Sequence, residues 1–454
     1  MESSRNSPPA DLVAHVAAQL RESIFPGAHL VLGLSGGMDS VSLLHILAEL
    51  SGPLRFSLRA VHINHGISPR AADWARFCQR LCAQLGTPLA VEAVDISSFR
   101  HLGPEAAARA ARWSALRRHQ ADFLVLAQHR DDQAETLLLQ LLRGAGPAGL
   151  SGMAPSVFFS DSLRGQVRVL RPMLDLSRAE VEAFIRSRGY QWVEDESNAN
   201  VALDRNFLRH QVLPAIMNRH AHATRALSRS AGLLAEAAVL LEELGRQDIA
   251  LLEKDGALDL PGLRALGDAR ARNALRAYCN QRGIPVPGYS RIREIWKQIR
   301  EPRKDSNLCI EWDGYALRRY RARIFIEKHR AAKCQDLDLA PWNGEPCMPL
   351  MPLHGLLNFR PEEGKGISLD KLRSAPVTVR LRRGGERLQI DPRRPRRTLK
   401  NLWQEHGVPP WLRDRQPLLY CGEQLVCVPG LGEDYQWRAA PGERGLIVSW
   451  QQFG

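Results

Sequence analysis

Apolar residues in the first two hundred positions of the chain come in short runs set between longer amphipathic stretches. Residues 29–34 read as a buried strand, and further runs follow at Leu58–Ile63, Leu89–Val94, Phe123–Ala127 and Val167–Leu170. Helical spacing fills the gaps, over Asp39–Leu50, Ala71–Leu85, Pro104–Gln120 and Asp131–Arg143. Strands alternating with helices predict an α/β unit, a doubly wound parallel sheet covered on both faces. Ligands of such sheets collect at the carboxyl ends of the strands. Ser35, the stretch His62–His65 and the stretch His129–Glu135 all fall there.

The pattern then changes. Leu227–Leu244 predicts a long helix, and Asp268–Arg282 and Tyr289–Arg300 predict two more. Asp268 suits an N-cap, and the helix behind it is basic (Arg270, Arg272, Arg276). Pro341, Gly344, Pro346 and Pro349 mark a stretch that reads as a connector. Val377–Leu381 alternates as a strand does. The predicted organisation is therefore 1–215, the parallel-sheet domain; 216–330, mainly helical; 331–370, a connector; and 371–454, a small α+β domain.

Charge narrows the class of partner. Lys and Arg number 62 against 49 Asp and Glu, a net charge of +13, which favours a polyanion such as nucleic acid. The excess is concentrated: Val377–Lys400 holds nine basic residues against Glu386 and Asp391. A solvated charged face is the plainer reading, but charge of one sign in one place favours phosphate binding. Arg380, Arg382, Arg383, Arg387, Arg396, Arg397 and Lys400 are the candidates, with Trp403 and Trp411 just beyond. No apolar run reaches membrane-spanning length, and Met1–Ala10 is polar, so the expectation is a cytoplasmic protein without a membrane partner. None of the eight cysteines forms C-x-x-C; Cys78 and Cys82, four apart, read as core residues.

The chemistry centres on Ser35-Gly36-Gly37-Met38-Asp39-Ser40, between the first strand and the first helix of the alternating pattern. Two glycines let the backbone turn sharply and approach a ligand closely. The helix start offers unpaired N–H donors at its positive end, which suits phosphate. Asp39 would repel a bare phosphate, so it makes sense with Mg²⁺ between them. No Lys follows the glycines, which excludes the usual P-loop. Asp132 and Glu135, three apart in a first helical turn, share one face. They could ligate metal, hold an amine or take its proton, or serve only as helix-dipole partners. Arg109 and Arg112 share a face among small residues, and Asp204–Arg209 places Arg205 in a polar segment feeding a helix.

The glycine turn resembles the PP-loop of the ATP pyrophosphatase family, which cleaves ATP between the α and β phosphates. The ordered set S-G-G-M-D-S, H-I-N-H-G, E-A-x-A-R-x-x-R, A-Q-H-R-D-D-Q-A-E-T, R-P-M-L, E-D-E-S-N and D-R-N-F-L-R is narrower. Together with R-x-R-R-G-G-E-R-L and T-L-K-N-L-W near the C-terminus, it resembles the tRNA(Ile)-lysidine synthase family. That resemblance implies ATP and Mg²⁺, a tRNA(Ile) with a CAU anticodon, and free L-lysine; a homodimer is left open. It implies adenylation of the wobble cytidine at ring carbon 2, then attack by the lysine ε-amine with loss of AMP. The product, lysidine, switches the tRNA from AUG to AUA decoding and from methionine to isoleucine identity. By the same resemblance Ser35 to Ser40 would hold ATP, with Asp39 and Asp132 at the metal, and His62 would lie near the adenine. Asp132 and Glu135 would handle lysine. Arg112 and Arg205 would lie near the reacting phosphate or the cytidine, and the basic C-terminal domain would grip the tRNA. Asn64 and Ser68 depart from the V-D-H-G-L-R common in the family. A PP-loop tRNA thiolase, a small-molecule amidating ligase and a non-catalytic tRNA-binding protein are the rival readings. No cysteine lies in the first-domain motif loops, as a thiolase would need, and the C-terminal charge is left over by an amidating ligase.

Overall fold

The structure, a computed structural model, describes residues 11–64, 66, 68–95, 97–161, 165–196, 200–301, 308–329 and 341–452. The chain divides into two compact units, Met1–Leu244 and Gly245–Gly454. No helix among the described residues is long and apolar enough to cross a membrane.

In the first unit the order is α1 (Leu12–Ser23), β1 (His29–Gly33), α2 (Met38–Ser51), β2 (Ser57–Asn64), α3 (Ala71–Gln84), β3 (Leu89–Ala93) and α4 (Pro104–Leu116). Then come β4 (Phe123–Val125), α5 (Arg130–Leu142), α6 (Pro147–Leu150), β5 (Ser156–Asp161), β6 (Gly165–Leu170), α7 (Arg178–Ser187), α8 (Asp204–Phe207), α9 (Leu213–Arg219) and α10 (Ala223–Leu252), the last running on into the second unit. The six strands form one sheet in the order β3-β2-β1-β4-β6-β5. All neighbours are parallel except β5, which runs antiparallel to β6.

Alternation along the strands builds both faces of this sheet. Leu30 and Leu32 of β1 and Phe123 and Val125 of β4 point to one side, into a core shared with Val16 and Leu20 of α1, Leu43 and Leu47 of α2, and Val181 and Ile185 of α7. Val31, Val61, Leu124 and Val169 point to the other side, where Leu116 of α4 covers them. Each such side chain contributes about 1.5–3 kcal/mol by leaving water. Cys78 and Cys82 are buried in the first of these cores.

The strand order reverses between β1 and β4. One neighbour of β1 is β2 and the other is β4, so the connections leave to opposite sides and open a crevice at the carboxyl ends of these two strands. Several elements escaped the periodicity, α1, α7 and β5 among them. The α1 helix is held at its start by Asp11, whose carboxylate accepts the Ala14 N–H at 3.1 Å. The β5 strand lies at the sheet edge, where Phe158 is exposed and the apolar signal is correspondingly thin.

In the second unit the predicted helices stand at Asp268–Gln281 and Tyr289–Arg300. They pack on a five-stranded antiparallel sheet that the sequence reading did not anticipate, with strands such as Tyr315–Tyr320 and Arg323–Lys328. Leu275, Tyr278, Ile292, Trp296, Leu317 and Ile324 form the core between them. Gly267, not Asp268, is the N-cap; the Asp268 carboxylate instead accepts the Trp296 indole N–H and pairs with Arg300. The stretch expected to be a connector is a structural part of the last region. Gly355–Glu363 pairs with Arg444–Gln452 over nine residues, and Cys347–Leu350 pairs with Gly355–Asn358. Pro349 in the edge strand Cys347–Leu350 and Pro361 near the end of Gly355–Glu363 hid these strands. The part of that stretch at 331–340 lies outside the described residues.

Candidate active site

The turn after β1 is built for a close ligand. Gly36 has φ +88°, a conformation a side chain would strain, and a Cβ there would stand 3.2 Å from Cys78 Sγ. Gly37 caps α2 with no side chain of its own. The loop is fixed internally: Ser40 Oγ donates to the Gly37 carbonyl at 3.0 Å and accepts the Ser35 N–H at 3.2 Å, while the two hydroxyls lie 3.0 Å apart. It is fixed externally too. The Gly36 carbonyl accepts the Val193 N–H at 2.9 Å, and the Leu34 carbonyl accepts His62 Nδ1–H at 2.9 Å. Burial lowers the His62 pKa, so the ring is neutral and serves as a donor. Its side chain steadies the loop from below, leaving only backbone groups of this strand end for a ligand. We expect Gly36→Ala to cost about 1–3 kcal/mol of stability, read by urea unfolding, and to raise the ATP requirement. Native stability in that variant would remove the strain argument.

The second half of the site follows β4. Asp132 is the third residue of α5, and its Oδ2 accepts the His129 N–H at 3.0 Å, capping the helix. The sequence alternative of a simple helix-dipole partner is thus part of the truth. The other Asp132 oxygen accepts Arg205 Nη2 at 2.9 Å and Arg209 Nη2 at 3.0 Å. Glu135, one turn on and 1% exposed, takes Arg205 Nε at 2.7 Å and Arg209 Nε at 2.6 Å. Arg205 belongs to α8, and Arg209 sits in a π-helical turn, Leu208–Val212, that follows it. Two acids three apart on one helix therefore face two arginines four apart on another. Burial alone would raise the Asp132 pKa; His129, Arg205 and Arg209 outweigh it and hold the carboxylate ionised. Burial likewise works against both guanidinium charges, and the two carboxylates reverse that.

His129 joins the two halves. It is fully buried, and its Nε2 lies 3.6 Å from both Asp39 Oδ2 and Asp132 Oδ2. Burial lowers its pKa, but Asp39, Asp132 and Asp131 more than offset this, so the net shift is upward. Asp39 Oδ1 is buried and has no hydrogen-bond partner among the described residues. A bare carboxylate oxygen beside a phosphate-binding turn fits the hard-oxygen demand of Mg²⁺, which is commonly held by one or two carboxylates plus substrate phosphates. Asp132 fits that role less well, since both of its oxygens already accept N–H groups.

Cations rim the site. Arg112 of α4 is solvent-accessible, and its pKa is lowered by desolvation and then by the like charges of Arg109 and Arg205. No carboxylate pairs with it among the described residues. Arg171, at the end of β6, is buried and donates to Gln128 Oε1 at 3.0 Å and the Ala154 carbonyl at 2.8 Å. Burial and Arg109 push its pKa down to about 10. A collection of mutually repelling arginines is stabilised by an anion. The sequence reading missed His129, Arg171 and Arg209 as members. The signal for Arg209 was available, in its four-residue spacing from Arg205. Of the other predicted residues, His65, Ser197 and Asn198 lie outside the described residues.

The C-terminal arginines are a mixed group. Arg380 pairs with Glu423, Arg382 with Asp414, Arg396 with buried Asp434, and Arg397 with Glu405. Arg387 donates to the Arg396 carbonyl, and Lys400 is exposed. Trp403 is buried, and Trp411 packs edge-on against Tyr320 and Phe325, so neither extends the basic surface.

Comparison with known proteins agrees along the whole chain. A family model described as a PP-loop domain matches residues 11–216, one described as the TilS substrate binding domain matches 258–325, and one described as the TilS substrate C-terminal domain matches 377–450. A tRNA(Ile)-lysidine synthase of Nitrosomonas europaea is 40% identical over 99% of this chain and 98% of its own. Those of Methylococcus capsulatus and Shigella flexneri are 38% and 37% identical, each over 95% of this chain and 98% of theirs. With an ATP-binding PP-loop at one end of the crevice, an acid–arginine cluster at the other, and this likeness from end to end, the chain belongs to the tRNA(Ile)-lysidine synthase family.

Proposed function

We propose that this enzyme joins free lysine to ring carbon 2 of the wobble cytidine in a CAU-anticodon tRNA(Ile), consuming ATP and releasing pyrophosphate and AMP. The observation that carries the reading is His129, whose one ring nitrogen lies 3.6 Å from an acid of the phosphate loop and 3.6 Å from an acid of the arginine-bound pair. That closeness supports reading the two acids as parts of one centre, one for ATP and one for the amine.

Residues Ser35 to Ser40 receive the ATP phosphates on the backbone N–H groups at the start of α2. Asp39, whose buried Oδ1 has no hydrogen-bond partner among the described residues, would hold Mg²⁺, which would supply charge neutralisation for the pyrophosphate. The cytidine oxygen attacks the α-phosphorus, and pyrophosphate leaves. Ring carbon 2 is inaccessible in a stacked base, so the nucleotide enters flipped out. Arg112 and Arg205 meet the anionic centre, supported by Arg109 and Arg171. Asp132 and Glu135 anchor the lysine ammonium. Held ionised by its cationic neighbours, Asp132 is a better anchor than base. Glu135 takes a proton from the ε-ammonium, the freed ε-amine attacks carbon 2, and the bond between carbon 2 and the former cytidine oxygen breaks, so that AMP leaves carrying that oxygen. Residues 1–215 act as the catalytic domain, while 216–330 and 371–454, with exposed cations such as Lys400, hold the tRNA body.

Mass analysis of CAU-anticodon tRNA(Ile), incubated with the enzyme, ATP and lysine, tests this. The expected product carries one lysine less one water at the wobble position. Sulfur gain without lysine would instead assign a thiolase, and pyrophosphate release independent of tRNA a small-molecule ligase.

A further inference from the structure

The helices Asp268–Gln281 and Tyr289–Arg300 enclose a groove of roughly 380 Å³ that lies outside the site described above. Arg272 and Asp268 of the first helix line it, with Tyr289, Arg293, Glu294, Lys297 and Arg300 of the second. Tyr289, Arg293 and Lys297 repeat at four-residue spacing. Tyr289 is 65% exposed, unusual for so large a ring. Its hydroxyl accepts Arg293 Nη1–H at 3.3 Å, and that guanidinium sits 5.5 Å from the ring centre.

The acids nearby are already engaged. Asp268 pairs with Arg300 and accepts the Trp296 indole N–H, and Glu294 accepts from Gln298. Among the described residues no carboxylate comes within ion-pairing distance of Arg272, Arg276, Arg293 or Lys297. A concave surface that carries Arg272, Arg293 and Lys297 without ion pairs, beside an exposed aromatic ring, selects a polyanion that also presents a flat π-surface. Double-helical RNA hides its base faces, whereas an unpaired nucleotide offers both a base to stack and phosphates to pair.

We infer that this groove is a subsite for one unpaired nucleotide of the bound tRNA, its base stacked on Tyr289 and its flanking phosphates on Arg272, Arg293 and Lys297. The inference rests on the tRNA-modifying reading above and adds a recognition element built from residues of the second unit. Filter binding of the full chain to CAU-anticodon tRNA(Ile) tests it. Tyr289→Ala should weaken binding about tenfold, while Tyr289→Phe, which keeps the stacking face, should stay within about twofold of native. The double variant Arg293→Gln/Lys297→Gln should flatten the log–log salt dependence by about 1.4. Melting temperatures identical to native would show that all three variants are folded. Native-like binding by Tyr289→Ala, or equal losses in Tyr289→Ala and Tyr289→Phe, would overturn the proposal. So would an equal loss by Tyr289→Ala against a blunt-ended RNA duplex of two strands, which would assign the groove to duplex phosphates. If the native chain itself neither bound tRNA nor incorporated lysine, the underlying reading would fall before the groove was in question.

Discussion

Asp39→Ala is expected to lower tRNA-dependent lysine incorporation by a factor on the order of 10³, while tRNA binding stays within about twofold of native. Asp39 lies in the first turn of α2, two residues after its Gly37 cap, and carries a buried oxygen with no hydrogen-bond partner among the described residues. A protein leaves such an oxygen bare where a cation is to occupy it. Without it, the pyrophosphate formed at the turn loses part of its neutralising shell, and the first chemical step slows. On the reading proposed above, residues other than Asp39 hold the body of the tRNA, so affinity should survive. Radiolabelled lysine incorporation at saturating ATP and tRNA provides the measurement. Activity within about tenfold of native would show that Asp39 has no part in charge neutralisation.

Glu135→Ala should destabilise the first unit by about 3–5 kcal/mol and abolish activity. Glu135 is 1% exposed and accepts the Nε–H of both Arg205 and Arg209. Its removal leaves two guanidinium groups with Asp132 as their only close acid in the cluster. The cost is that of a partly buried cation without its partner, larger than any surface ion pair would show. Urea unfolding followed by far-UV circular dichroism reads the change directly. A loss below about 1 kcal/mol would mean that solvent replaces Glu135 without penalty.

The catalytic half of this chain is legible because its signals are local. A strand, a glycine turn and a helix start occupy a single stretch of sequence, and strand–helix alternation fixes the parallel sheet. Once the sheet order is known, the crevice at β1 and β4 follows from connection rules alone. Pairings over long separations are invisible at that level. Arg209 meets Glu135 across 74 positions; its spacing from Arg205 puts the two arginines on one face, but nothing local names the acid they meet. The C-terminal arginine run shows the same blindness in reverse. Read locally it is almost free of acid, yet Glu423, Asp414, Asp434 and Glu405 return from elsewhere to pair with four of its members. The strands at 347–363 were masked by their prolines, which an edge or a register break tolerates and a propensity rule does not.

The lattice of Asp132, Glu135, Arg205 and Arg209 holds two negative and two positive charges, and is neutral as a set. A neutral lattice takes up another ion only by exchange. An ammonium that seats itself on either acid displaces a guanidinium N–H from that oxygen, and the displaced arginine becomes a cation in search of an anion. On the reading proposed here, amine loading and the arming of an arginine are one event. The enzyme would then need no separate sensor for lysine: an empty amine seat keeps its arginines quenched, and a filled one releases them toward the adenylate.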